Sequence, residues 1–191
     1  MKQNNNTILL CTALILAAVF FRIVFAETGW YNLAPLVAIS IFSGAILKNK
    51  SYAFIIPLAA YLLSDVYMQV ANGTGFYGIS QFFVYGAMAL VVLLGSKMNK
   101  IQPLRVLGFT IGGSLLFWLI SNFGVFAEGY YGYSANGLAQ TFLAAIPFYK
   151  NEFSTKLFFN PIIGNVVTSG ILFAAYAVLK NKVAAPKAIA G

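Results

Sequence analysis

The stretch LAPLVAISIFSGAIL-KNK-S-YAFIIPLAAYLLSDVYMQVA, from Leu33 to Ala71, decides the fold. Two apolar runs, Leu33–Leu47 and Tyr52–Ala71, meet at a short basic turn, Lys48-Asn49-Lys50. A helix of about 20 apolar residues crosses the hydrocarbon core of a bilayer. Lys and Arg collect on the cytoplasmic side of such helices. The stretch therefore reads as a helical hairpin whose turn is inside. The same pattern extends outward, to Ile8–Ala26 before it and to Ile79–Gly95, Leu104–Phe126 and Leu157–Leu179 after it. Leu33–Leu47 is the short member of the six. It extends through Asn32 or Lys48, or thins the bilayer locally.

Charge orients the segments. Lys2, Lys48, Lys50, Lys97, Lys100, Lys180, Lys182 and Lys187 lie at one set of helix ends, with Arg105 just inside the fifth segment. The 4 carboxylates, Glu27, Asp65, Glu128 and Glu152, group at the other. Both termini are then inside, and the acidic, aromatic, glycine-rich loops are outside. The expected fold class is all-α: a polytopic membrane protein with six transmembrane helices, N-in/C-in.

Composition agrees. The 191 residues are 60% hydrophobic and 8% charged, against about 25% charged in a soluble domain. One transmembrane domain over 1–182 and a flexible cytoplasmic tail over 183–191 account for the chain, with the lipid bilayer as solvent. The net charge of +8 does not indicate nucleic acid, because membrane topology explains most of the cations. The single Cys11 excludes a disulfide framework, and the absence of histidine removes His-based triads and metal ligands. No phosphate-binding G-x-x-x-x-G-K-[ST] loop occurs, so the chain has no ATPase of its own. The sequence points away from an enzyme, a cofactor or a metal site. The first segment has the basic start of a signal peptide, but Arg22 interrupts its apolar run, so a retained helix is expected.

Polar punctuation sets the boundaries. Asn4-Asn5-Asn6-Thr7 is a polar leader whose last residue could cap helix 1. Pro35 suits the first turn of helix 2, and Pro57 should kink helix 3. Between helices 5 and 6 the apolar run Leu138–Tyr149 is too short to cross. It reads as an interfacial or re-entrant helix ended by Pro147 and Lys150, and it acts either as a connector or as a lid. Small residues four apart recur at Ala13 and Ala17, Ser40 and Gly44, Gly108 and Gly112, and Gly164 and Thr168. Such spacing allows close helix packing.

One layer of strong polar groups interrupts the apolar helices. At about 1.5 Å per residue, Arg22, Asp65 and Asn165 each lie roughly 20 Å from the inner end of their segments. Gln81 and Asn122 lie near the outer ends of theirs, and Asn32 lies at the mouth of helix 2. Charged residues are costly inside a membrane and usually pair in the bundle interior. Arg22 and Asp65 are the natural pair. The pair either locks helices 1 and 3 together or floors an outward-open pocket; alternatively Arg22 snorkels to the headgroups. Trp30, Tyr85, Phe123 and other aromatics surround this layer, as in a pocket or an interfacial belt.

The segment Asn32–Asp65 resembles the second and third helices of substrate-binding S-components of energy-coupling-factor vitamin transporters. Lys48-Asn49-Lys50 stands where those proteins have a glycine-proline-basic turn. Ala13-x-x-x-Ala17 looks like the motif by which S-components dock on their transmembrane coupling subunit. The N-x-x-P start at Asn32 and Ser121-Asn122-Phe123-Gly124-Val125 resemble a family of uncharacterised bacterial six-helix proteins still more closely. The resemblance implies a bacterial inner-membrane subunit that captures a small molecule from outside and relies on a coupling subunit and ATPases. Its ligand residues would be Arg22, Trp30, Asn32, Asp65, Gln81, Tyr85, Asn122, Phe123 and Asn165, with Ala13 and Ala17 for docking. A structural or assembly subunit without a ligand, or an ion-coupled carrier using Asp65, are the rival expectations.

Overall fold

The computed structural model describes residues 4–28, 34–150 and 161–184. Lys2, Trp30, Asn32, Glu152 and Lys187, and the tail beyond residue 184, lie outside the described residues. Within them the chain forms seven α-helices and no strand: α1 Asn5–Glu27, α2 Leu36–Ile46, α3 Lys50–Asn72, α4 Ile79–Ser96, α5 Pro103–Ala127, α6 Ala135–Lys150 and α7 Pro161–Ala184. Five of these, α1, α3, α4, α5 and α7, are long and apolar enough to cross a membrane. Only 22–44% of each apolar window is buried in the bundle, so most of this apolar surface faces outward. That is the architecture of an α-helical, multi-pass membrane protein.

Local chemistry explains the helix boundaries. Asn4, not Thr7, caps α1: its side chain accepts from the Asn6 N–H at 3.0 Å. Asn49 in the basic turn caps α3 by accepting from Tyr52 N–H. The helix runs on past Pro57 and stops at Gly73, whose φ of 70° suits glycine. Pro103 opens α5, where its missing N–H is harmless. The run expected as a short helix over 138–149 becomes α6, which starts three residues earlier and continues through Pro147 to Lys150. Trp118 of α5 and Phe142 of α6 meet edge to face at 5.1 Å.

α2 differs from its sequence expectation. It has 11 residues, or about 16 Å of helix, against about 30 Å of hydrocarbon. It is also the most enclosed element, buried throughout except at Ala45. It packs on α3, α4, α5 and α7 as the hub of the bundle. Glycine permits the closest crossing. A Cβ on Gly44 would lie 2.1 Å from the Val92 carbonyl oxygen, and one on Gly95 would lie 2.6 Å from that of Ile41. On the opposite flank, Phe42 packs edge to face on Phe173 and Tyr176 of α7. Gly108 and Gly112 behave otherwise: a Cβ there meets nothing within 4 Å, so this pair faces out rather than packing in the bundle.

α1 and α3 run the same way, with the short α2 between them: Arg22 meets Asp65 and Glu27 meets Asn72 toward their C-terminal ends. Glu27, Asp65 and Glu128 fall at one end of the bundle, and Lys48, Lys50, Lys97, Lys100, Arg105 and Lys180 at the other. These are termed the acidic and basic ends.

Candidate functional site

Three helices build a polar knot toward the acidic end. Arg22 of α1 reaches Asp65 of α3, with Nη2 donating to Oδ1 at 2.8 Å. Its Nη1 donates to Ser64 Oγ, and Ser64 in turn donates to the Tyr61 carbonyl at 2.6 Å. The guanidinium carbon lies 4.2 Å from the centre of the Tyr61 ring, a cation–π contact. The second carboxylate oxygen, Oδ2, accepts from Gln81 Nε2 at 3.0 Å and from Tyr85 Oη at 2.8 Å, both on α4. Asp65 is fully buried, and Arg22 is 8% exposed. The helical period explains the assembly: Tyr61 and Asp65, like Gln81 and Tyr85, are four apart and share a face.

The α3–α4 loop closes over the knot. Gln69 Oε1 accepts from the backbone N–H groups of Gly75 and Phe76, both at 3.0 Å. Gln81 Nε2 also donates to the Gly75 carbonyl at 3.3 Å. A Cβ on Gly75 would lie 1.8 Å from the Asp65 carbonyl oxygen, so only glycine lets the loop come this close. The hydroxyls of Tyr61 and Tyr77 lie 3.3 Å apart. Tyr77 is 40% exposed, but its hydroxyl turns inward onto Tyr61. Desolvation, reinforced by Tyr61, pushes its pKa above the ordinary phenol value. Two further ties hold this end. Asn72 Nδ2 donates to Glu27 at 2.8 Å, and Glu128 accepts from Ser80 N–H at 3.0 Å in the first turn of α4. The latter puts a carboxylate at the positive end of the α4 dipole.

The other candidates lie elsewhere. Asn165 of α7 caps α2, with Oδ1 accepting from Ala38 N–H at 3.1 Å and Nδ2 donating to its own Pro161 carbonyl. Pro35 provides no side-chain cap there, so α7 supplies it. Asn122 donates to the Trp118 carbonyl of its own helix at 2.7 Å. Phe123 is exposed and stacks with Phe83 and Phe126. Trp30 and Asn32 lie outside the described residues. Ala13 and Ala17 are exposed on α1. The structure thus brings together Arg22, Asp65, Gln81 and Tyr85, and sets Asn122, Phe123 and Asn165 apart. Sequence reasoning did not place Tyr61, Ser64, Gln69 or Gly75 in this knot. Tyr61 was readable from its four-residue spacing to Asp65, but Ser64, adjacent to Asp65, was not, and nothing in the sequence marks Gly75 as the loop contact.

Among the described residues no three metal-ligating side chains come together. Ala17 borders an apolar groove of about 490 Å³ between α1 and α7, with Ala18, Phe21, Gly164 and Val167 among its walls. The sequence model of a family of unknown function, DUF6580, matches residues 2–188 of the chain. No curated protein and no solved structure matches it.

Proposed function

We propose a function from the premise that the chain belongs to the DUF6580 family: it is a membrane-embedded small-molecule-binding subunit of an uptake transporter. It captures substrate at the acidic end and relies on partner ATPases. The observation that carries this reading is the buried knot of Arg22, Asp65, Gln81 and Tyr85, assembled from three helices beneath a loop. Ionisable side chains within membrane helices are expensive, and function is their usual reason. Arg22 offers a cation to an anionic or polar ligand group, and Gln81 and Tyr85 can turn from Asp65 to the ligand. Tyr77 and Phe76 supply ring faces at the mouth. The exposed Ala13 and Ala17 face of α1 is the docking surface for a transmembrane coupling subunit.

In this reading the acidic end faces outside and both termini face the cytoplasm of a bacterium. Six helices cross the membrane, α2 being the short, protein-enclosed one, and α6 lies at the outer interface. Cysteines at Asn49 and Asn99 are then shielded from an impermeant thiol reagent added outside, while one at Gly73 reacts. Outside labelling at Asn49 reverses the orientation.

One observation favours a second reading, a structural lock. Both Asp65 oxygens are already occupied, and Arg22 is already paired. The same pairing disfavours an ion-coupled carrier, because a carboxylate bound to arginine is poorly placed to load and release a cation. A thermal-shift screen of the purified protein against vitamins, nucleobases and metal chelates separates capture from lock. Capture requires a compound that raises the Tm of the parent but not of Gln81→Ala. A lock gives a lower Tm in Gln81→Ala and no compound that raises either.

A further inference from the structure

We infer that the basic end carries a site for an anionic phospholipid, with an acyl chain in the crevice between α5 and α7 and the phosphate at its mouth. The crevice, of about 400 Å³, is separate from the polar knot. Val106 and Thr110 form one wall, and Val166, Gly170, Ala174 and Ala177 the other. From Val166 to Ala177 is eleven helical steps, about 16 Å, a slot suited to a chain rather than a flat ring. Its one buried hydroxyl wall is neutralised internally, because Thr110 Oγ1 donates to Ser169 Oγ at 2.9 Å. Gly170 opens the slot: a Cβ there would meet nothing within 4 Å.

Cations collect at the same end of the bundle as the mouth. The mouth is formed by Gln102 and Pro103, with exposed Lys100 and Arg105 beside them in sequence. Lys180, one turn beyond Ala177, lies at the same end, its ammonium 6.0 Å from the centre of the Tyr176 ring. The described carboxylates Glu27, Asp65 and Glu128 all belong to the acidic end. Gln102 provides no side-chain cap for α5, so the first-turn N–H groups also favour an anion. Basic pockets between membrane helices bind anionic headgroups in this way.

The test is lipid retention by the detergent-purified full chain, read by native mass spectrometry with phosphatidylglycerol or phosphatidylcholine. Phosphatidylglycerol should be retained at least fivefold better. Arg105→Gln and Lys180→Gln should each weaken it about fivefold, the factor corresponding to ~1 kcal/mol per cation at an anionic surface. Both substitutions are at exposed positions, so folding is spared. Gly170→Leu should fill the slot and abolish the preference, with Ala174→Leu as the second variant. Equal retention of the two lipids overturns the inference. So does a preference that survives filling of the slot, which would mean that scattered surface charge is the cause.

Discussion

The two ends of the bundle handle charge in opposite ways. At the acidic end Arg22 and Asp65 are buried and meet partner for partner, with Ser64, Gln81 and Tyr85 completing the set. At the basic end Lys97, Lys100, Arg105 and Lys180 stay exposed, and the nearby buried hydroxyls of Thr110 and Ser169 bond each other. The first arrangement uses charge to join helices in a low-dielectric interior, where each group depends on its partner. The second leaves charge available to the surroundings. Substitutions at the two ends should therefore differ in size and kind.

The largest effect is expected at Asp65. Asp65→Ala leaves Arg22 buried without its counter-ion, a loss of about 3–5 kcal/mol. Unfolding in mixed micelles should show this loss, and adding Arg22→Ala should recover part of it. Strictly additive effects would mean that the two side chains act separately. Next comes Gly75→Ala, which drives a Cβ into the rigid Asp65 carbonyl; overpacking of this kind costs about 1–3 kcal/mol. Asn165→Ala removes the cap that α7 lends to α2, a loss of about 1 kcal/mol. If Asn165 were only a ligand contact, its removal would leave stability unchanged. The smallest effect has the opposite sign. Gly108→Ala enters open space on α5 and should stabilise by about 0.5–1 kcal/mol through helix propensity. A destabilised Gly108→Ala would show that this face packs against another helix.

The same contrast marks what was legible in the sequence. Matching heights along helices found Arg22, Asp65 and Gln81 together, because opposite charges in an apolar setting must find each other. Height alone does not give the direction around a helix. Asn122 and Asn165 lie at similar depth, yet one bonds its own helix and the other the start of α2. Hydropathy also overstated α2, since Ala34 and Pro35 continue the apolar run before the helix begins. The cap of α1 was placed at Thr7 because four consecutive polar residues offer equivalent caps in sequence. The five long helices were readable because 18 to 25 residues of predominantly apolar chain have few other uses.

The most direct measurement replaces the buried pair by apolar side chains, Arg22→Met with Asp65→Leu, and repeats the ligand screen. Exchanging both members of a buried ion pair for packed apolar groups is often neutral for stability. The doubly substituted protein should therefore remain folded and monodisperse, with a Tm close to the parent's. If the knot is a ligand anchor, the compound that stabilises the parent will no longer stabilise this variant. A variant that folds and is still stabilised to the same degree would contradict the assignment of the site.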